Sequence, residues 1–274
     1  MLAAIAILLG AGCGILRPRA APGPAWTQQE VVNTLGSRYR KIRTIKAGEV
    51  SLEASSDAGG VFRISPTLGG VLALDPHLPG LWLRAEKLGQ EIFTLGLRQQ
   101  NFWMTIPQTR ELVTGSGRAF RKFPYALRPA ELAALAGSPS QLGLTRESTI
   151  MVTDPRHYRF DVWQGITLLR EVYVDRHDVT VRRVVYYAPD GRVLAKVELG
   201  DYAPANDIPL PRYLSLYRPD SGIRTELWLP SAEINAVPAR QMRTFFNPPR
   251  KPGWRHIDLN RQSLSDIKAL QNQQ

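Results

Sequence analysis

The chain has 274 residues, 43% of them hydrophobic and 22% charged, which is ordinary for a globular protein and enough for a sizeable core. Its single cysteine, Cys13, excludes an intramolecular disulfide and any cysteine-based zinc cluster. Lys and Arg total 35 against 24 Asp and Glu, a net charge of +11 that favours contact with polyanions.

The first ten residues, Met1 to Gly10, are apolar. They are too few to span a bilayer, which takes about 20 residues, but they suit the apolar region of a signal peptide. Gly10-Ala11-Gly12 then leads into Cys13. This arrangement resembles the lipobox of bacterial lipoproteins, in which small residues precede a cysteine whose thiol is acylated. The resemblance implies a signal peptide over residues 1–12 and lipidation of Cys13. Residues 13–26 contain Pro18, Pro22 and Pro24 with Gly14 and Gly23, so they read as a tether between the lipid and a folded body. Position 14 is glycine and not the aspartate associated with inner-membrane retention, which favours the outer membrane.

The folded part begins with Thr27-Gln-Gln-Glu30, a capping-box pattern opening an amphipathic run through Val31, Val32, Leu35, Tyr39 and Ile42. This spacing predicts a helix from Thr27 to about Tyr39. From Lys46 to Gly115 the period changes to two. Alternation over Gly48–Ala54, Phe62–Ile64, Val71–Leu74, Leu81–Glu86, Phe93–Leu97 and Phe102–Ile106, broken by Gly, Pro and Asn, predicts a meander of antiparallel strands. Pro129–Ala136, rich in Ala and Leu, predicts a second helix. A second set of strands follows at Tyr158–Val162, Thr167–Val174, Thr180–Tyr187, Val193–Tyr202, Tyr213–Tyr217 and Arg224–Leu229. Pro189-Asp-Gly191 and Asp220-Ser-Gly222 supply hairpin turns. Pro248 to Gln274 reads as a loosely docked tail. Neither strand set carries enough helix to cover its apolar face, so residues 27–247 form one domain.

In order and pattern this segment resembles the LolA/LolB-type lipoprotein-localisation superfamily. The likeness lies in Ile45-Lys-Ala-Gly-Glu-Val50 after the first helix, in Leu74-Asp-Pro76, and in the strand pair Leu81-Trp-Leu-Arg-Ala85 and Ile92-Phe-Thr-Leu-Gly-Leu97. Asn101-Phe-Trp-Met-Thr-Ile-Pro107, Leu210–Leu216 and Leu227-Trp-Leu-Pro230 extend it. The resemblance implies a mainly β (α+β) fold: a curved, incomplete antiparallel β-barrel with covering helices, whose concave face can hold acyl chains.

Leu83, Phe93, Leu95, Phe102, Met104, Phe160 and Val162 share the apolar phase of their strands. They are ordinary core if the sheet closes on packed helices, and they line a lipid-sized pocket if it leaves a hollow. Thr94 and Thr105 take the outward phase. Trp82, Trp103, Trp163 and Trp228 do too, which calls for a cover of helix or tail.

Catalytic chemistry finds little support. His77, His157, His177 and His256 are the only histidines, and Asp154-Pro-Arg-His157 and Arg176-His-Asp178 read as turns. Gly115-Ser-Gly117 lacks the strand-to-helix setting of a phosphate loop. No catalytic residue, metal site or cofactor is implied. Basic clusters at Arg38–Arg43, Arg118–Lys122 and Arg250-Lys251 fit anionic lipid head groups better than nucleic acid in an envelope protein. The expected function is binding of a lipid or lipoprotein acyl chain, for transport or sensing, by a protein held to the membrane through its N-terminal lipid. The alternative is a structural or assembly lipoprotein that binds a protein partner through its sheet and has no lipid cavity.

Overall fold

The computed structural model describes residues 25–57, 69–75, 80–99, 101–116, 138–145 and 149–261. The segments expected to be a signal peptide and a tether, with Cys13, lie outside these residues except for positions 25 and 26. So do Phe62–Ile64, the helix expected over Pro129–Ala136, the Arg118–Lys122 cluster and the end of the tail.

Helix α1 (Gln28–Arg40) starts where its cap dictates. The Glu30 N–H donates to Thr27 Oγ1 at 3.3 Å, and the Thr27 N–H donates to the Glu30 carboxylate at 2.7 Å, which satisfies two otherwise orphaned amides. Val31, Leu35 and Tyr39 recur every four residues and form its buried stripe. Thr27→Ala should lower stability by about 1 kcal/mol in chemical denaturation. An unchanged midpoint would mean that tertiary packing alone holds the helix start.

After α1 the chain enters two eight-stranded sheets. The first contains β1 (Ile45–Ala47), β3 (Gly69–Asp75), β4 (Gly80–Lys87), β5 (Gln90–Arg98), β6 (Asn101–Ile106), β7 (Glu111–Ser116), β15 (Ala232–Ile234) and β16 (Arg255–Asp258), in the order β15-β1-β3-β4-β5-β6-β7-β16. The second contains β2 (Ser51–Ser56), β8 (Thr149–Thr153), β9 (His157–Gln164), β10 (Thr167–Asp175), β11 (Val181–Tyr187), β12 (Val193–Ala205), β13 (Ile208–Arg218) and β14 (Ile223–Trp228), in the order β2-β14-β13-β12-β11-β10-β9-β8. All pairings are antiparallel except the parallel one between β16 and β7. Among the described residues none of the four edge strands pairs with another, so the barrel is incomplete, and one apolar core draws on both sheets and α1.

The seam between the sheets corrects one expectation. Gly48–Ala54 is not a single strand: β1 ends at Ala47 in the first sheet, and β2 starts at Ser51 in the second, with Val50 buried at the bend. The chain crosses back after β14, when β15 pairs with β1. Asn235, at φ +60°, fastens this return. Its Oδ1 accepts from the Arg43 N–H at 2.7 Å and its Nδ2 donates to the Lys41 carbonyl at 2.9 Å. An asparagine suits this left-handed conformation better than a branched residue.

Two short helices complete the described fold: α2 (Pro139–Leu142), capped by Ser138, and α3 (Ala239–Phe246). The latter is not predicted by the sequence pattern. It lies on the outer face of the first sheet, where Phe245 stacks on Trp82 with centroids 4.4 Å apart, and Met242 and Phe246 pack with Ala73 and Val237. This is the cover that outward Trp82 requires. Trp103 solves the same problem within the sheet: its indole lies over Gly96, its cross-strand partner, where any Cβ would come within 2.2 Å of the ring. Thr94 and Thr105 are outward in phase but only 7% and 2% exposed, so they are not the solvent-facing positions their phase suggests. The tail is also docked in its first part, where β16 adds to β7 and both Ile257 and Leu259 are buried.

Candidate functional site

The register fixes which side chains share the interior. On the first sheet, Leu81, Leu97 and Phe102 form one cross-strand row, and Leu83, Leu95, Met104 and Val113 form the next. On the second, Phe160, Val172, Val184, Val197, Leu216 and Thr225 form a row. Residues directly opposite one another project from the same face, so each row is a strip of interior surface. Phe93, in the phase of Leu95, and Val162, in the phase of Phe160, join them. All seven candidate lining residues therefore meet one apolar cluster.

They are not equally enclosed. Leu83, Phe102, Phe160 and Val162 are buried, and Phe160 is fully so. Phe93, Leu95 and Met104 are only half-buried, as is Ile106 near them on β6. The interior surface thus grades from closed to open along β5 and β6. Large apolar side chains at the open part cost solvation free energy unless something covers them.

The interior of the second sheet is not wholly apolar. Arg170 on β10 lies opposite Val162 on one side and Tyr186 on the other. Its Nη1 donates to the Gln141 carbonyl at 2.9 Å, and its guanidinium stands 5.5 Å from the centre of the Tyr186 ring. Arg218 on β13 keeps the phase of Leu214 and Leu216 and is 3% exposed. These two cations were not among the sequence candidates, although each sits at a position where alternation calls for an apolar residue.

A second, smaller feature lies between α1 and the second sheet. This cleft is lined by Leu35, Arg38, Ile42, Tyr202, Ile208 and Pro211, among others, and holds about 30 Å³, room for one or two waters and far short of an acyl chain. Arg38 of the first basic cluster is turned inward here. It donates to the carbonyls of Asp178 and Val179 at 2.9 and 2.7 Å, pinning a turn in which Val179 holds φ +52°. That conformation is costly for a β-branched residue and needs such support.

The outer face of the second sheet is polar and largely self-satisfied. Arg159 pairs with Asp161 at 2.8 Å, the Tyr173 hydroxyl donates to Glu171 at 2.9 Å, and the Arg183 guanidinium lies 3.9 Å from the Tyr173 ring centre. Tyr213 donates to Glu226 at 2.7 Å and leans on Trp228, which stays 42% exposed. The two histidine-bearing segments are turns: Asp154 accepts from the N–H groups of Arg156 and His157, and Asp175 accepts from that of His177.

Neither a protein-family model nor a curated protein sequence matches the chain. Solved structures do. A DUF1329 family protein from Desulfovibrio piger superposes with a TM-score of 0.55 at 10% identity, covering 80% of this chain and 95% of that one. A putative outer membrane lipoprotein-sorting protein domain from Vibrio parahaemolyticus gives 0.53 at 11% identity, covering 81% and 100%. A LolA superfamily protein from Nitrosomonas europaea gives 0.47 at 10% identity, covering 80% and 98%. The first two likenesses establish the fold, an incomplete antiparallel half-barrel with helices, which is the architecture expected from the sequence.

Proposed function

We propose that this protein is a non-catalytic lipoprotein of the bacterial envelope that binds a lipid or lipoprotein acyl chain on its concave apolar face. The observation that carries this reading is the half-buried group Phe93, Leu95, Met104 and Ile106, contiguous with fully enclosed apolar rows. A chain laid along it gains about 0.8 kcal/mol for each methylene buried. The fold shared with a domain described as putatively sorting outer membrane lipoproteins supports the same reading. Mass spectrometry of organic extracts from the purified protein tests it, with co-purifying acyl lipid as the expected result. A lipid-free protein that also fails to take up fatty acid would overturn it.

Anchoring is a separate part of the proposal and rests on Cys13, the chain's only thiol, placed directly after a short apolar run. Cys13→Ala should move the protein from the membrane pellet to the soluble periplasmic fraction. Retention in the pellet at high salt, with the upstream segment removed, would refute a lipid anchor. The exposed Trp228 against Tyr213 on the outer sheet face favours a second role, contact with a protein partner, which could coexist with a loaded interior. Trp228→Ala should weaken that contact without changing lipid content.

A further inference from the structure

The first sheet has β15 at one edge and β16 at the other, although β16 follows β15 in the chain. Residues 235–254, which join them, must therefore span the whole eight-stranded sheet, about 34 Å at the usual strand spacing. Their path is on the outer face. Helix α3 lies there with Met242, Phe245 and Phe246 against the sheet and with Arg240, Gln241 and Thr244 exposed. Pro248, Pro249 and Pro252 then keep the segment from continuing the helix or pairing as a strand before β16. Thr94, Trp103 and Thr105, outward in phase on β5 and β6, are buried, as a cover on that face requires.

The charge of this strap is one-sided. Between Glu233 and Asp258 the chain has Arg240, Arg243, Arg250, Lys251 and Arg255 and no carboxylate. Arg255 is partnered, 3.4 Å from Glu111 on β7. Arg240, Arg250 and Lys251 are exposed and pair with no carboxylate among the described residues. The flanking carboxylates have other neighbours: Glu233 is the cross-strand partner of Lys46, and Asp258 pairs with Arg261 at 3.3 Å. Lys251 stands 4.8 Å from the centre of the Trp254 ring, in a turn closed by the Trp254 N–H donating to the Lys251 carbonyl at 3.2 Å. Gly253 in this turn holds φ +77° with open space where a side chain would stand, so the turn projects freely.

Exposed cations strung along a face, with no pocket among them, suit a surface of diffuse negative charge better than one small anion. Half-buried Trp254 beside Lys251 adds the amphipathic ring that favours a membrane–water boundary. We infer that the strap docks the protein on an anionic phospholipid bilayer, with the outer face of the first sheet turned to the head groups. The inference goes beyond acyl binding and depends neither on it nor on the Cys13 anchor.

Vesicle co-sedimentation tests it, with the full-length Cys13→Ala protein so that no acyl anchor contributes. Adding phosphatidylglycerol to phosphatidylcholine vesicles should raise binding strongly at low salt, and high salt should abolish the gain. Each cation removed should weaken binding about five-fold, so Arg240→Gln, Arg250→Gln and Lys251→Gln combined should remove most of the gain. Arg240→Lys with Arg250→Lys should retain it. Arg156→Gln, Arg192→Gln and Lys196→Gln combined take the same charge from exposed sites on or beside the second sheet and should leave binding nearly unchanged. Thermal melts confirm that each variant is folded. Equal weakening by the two triple variants would overturn the inference, because net charge and not the strap would then drive binding. So would a wild type that gains nothing from phosphatidylglycerol. Tighter binding to duplex DNA than to anionic vesicles, lost in the strap variant, would make the strap a nucleic-acid surface and the lipid assignment wrong.

Discussion

Leu95→Gln and Met104→Gln should each weaken fatty-acid binding about ten-fold or more with little change in melting temperature, whereas Phe160→Ala should cost about 3–5 kcal/mol of stability. The contrast follows from exposure. Leu95 and Met104 are cross-strand partners on β5 and β6, half-buried at the open part of the interior, so a carboxamide there stays hydrated in the empty protein. Once a chain lies across it, that carboxamide loses water without gaining an acceptor, and binding carries the cost. Phe160 is fully enclosed among Val172, Val184 and their neighbours, and its removal leaves a cavity whether or not ligand is present. Glu86→Gln, on the outer face of β4, is the control and should change neither quantity. Fluorescence titration with parallel thermal melts reads both arms. If Leu95→Gln unfolds the protein as Phe160→Ala does, and the wild type binds no fatty acid, the interior is a solid core and the alternative of a sheet-binding structural lipoprotein gains.

The strands were legible because each has one buried face. The period-two runs at Leu81–Glu86, Phe93–Leu97, Tyr158–Val162 and Thr167–Val174 all fall inside observed strands, and the capping box marks the start of α1 to the residue. What was not legible depends on contacts distant in sequence. Gly48–Ala54 reads as one alternating run, and only the pairing of β1 with β15 and of β2 with β14, about 170 to 190 residues away in the register, divides this stretch between two sheets. Helix α3 opens at Pro238 without a side-chain cap and contains Arg240, Gln241 and Thr244, so little in it announces a helix. It is held by the Trp82–Phe245 stack, which neither segment reveals alone.

The interior residues were found for the same reason, since phase alone assigns Leu83, Phe93 and Phe160 to the inside. Arg170 and Arg218 could have been found by that rule applied without regard to polarity. Arg170 shares the phase of Val172 and Val174, and Arg218 that of Leu214 and Leu216. An arginine at the end of a run looks like the strand's solvated terminus, and the bulge between Leu168 and Arg170 hides the phase from the other side. Thr94 and Thr105 show the converse limit. Phase puts them outward, and their burial comes from neighbours that alternation does not describe.

Stability should fall steeply above about pH 10, where an unfolded tyrosine titrates. Tyr202, Tyr187 and Tyr173 all have phenols held above the ordinary value. For Tyr202 the main cause is burial, with Asp178 adding to it and Arg182 opposing it. For Tyr187 burial and then a hydrogen bond to Glu171 push the value up to about 12, and Tyr173 is raised by the same two causes in the same order. A phenol whose folded-state value exceeds its unfolded one keeps its proton longer in the native protein. Its contribution is therefore complete below about pH 10 and declines as pH rises through the folded-state value, because the unfolded chain releases the proton first. For half-buried Tyr202, whose hydroxyl donates to the Val181 carbonyl, this gives a slope of at most about 1.4 kcal/mol per pH unit. Tyr173 and Tyr187 are partly exposed, so solvent screening makes their shares smaller. Tyr202→Phe should cost about 1 kcal/mol near neutrality, through the lost hydrogen bond, and should flatten the alkaline decline. The stability curves of variant and wild type should then approach one another as pH rises beyond 10 in urea denaturation. Curves that stay parallel up to about pH 12, the value to which Tyr187 is raised, would show that the Tyr202 phenol titrates alike in the folded and unfolded chains.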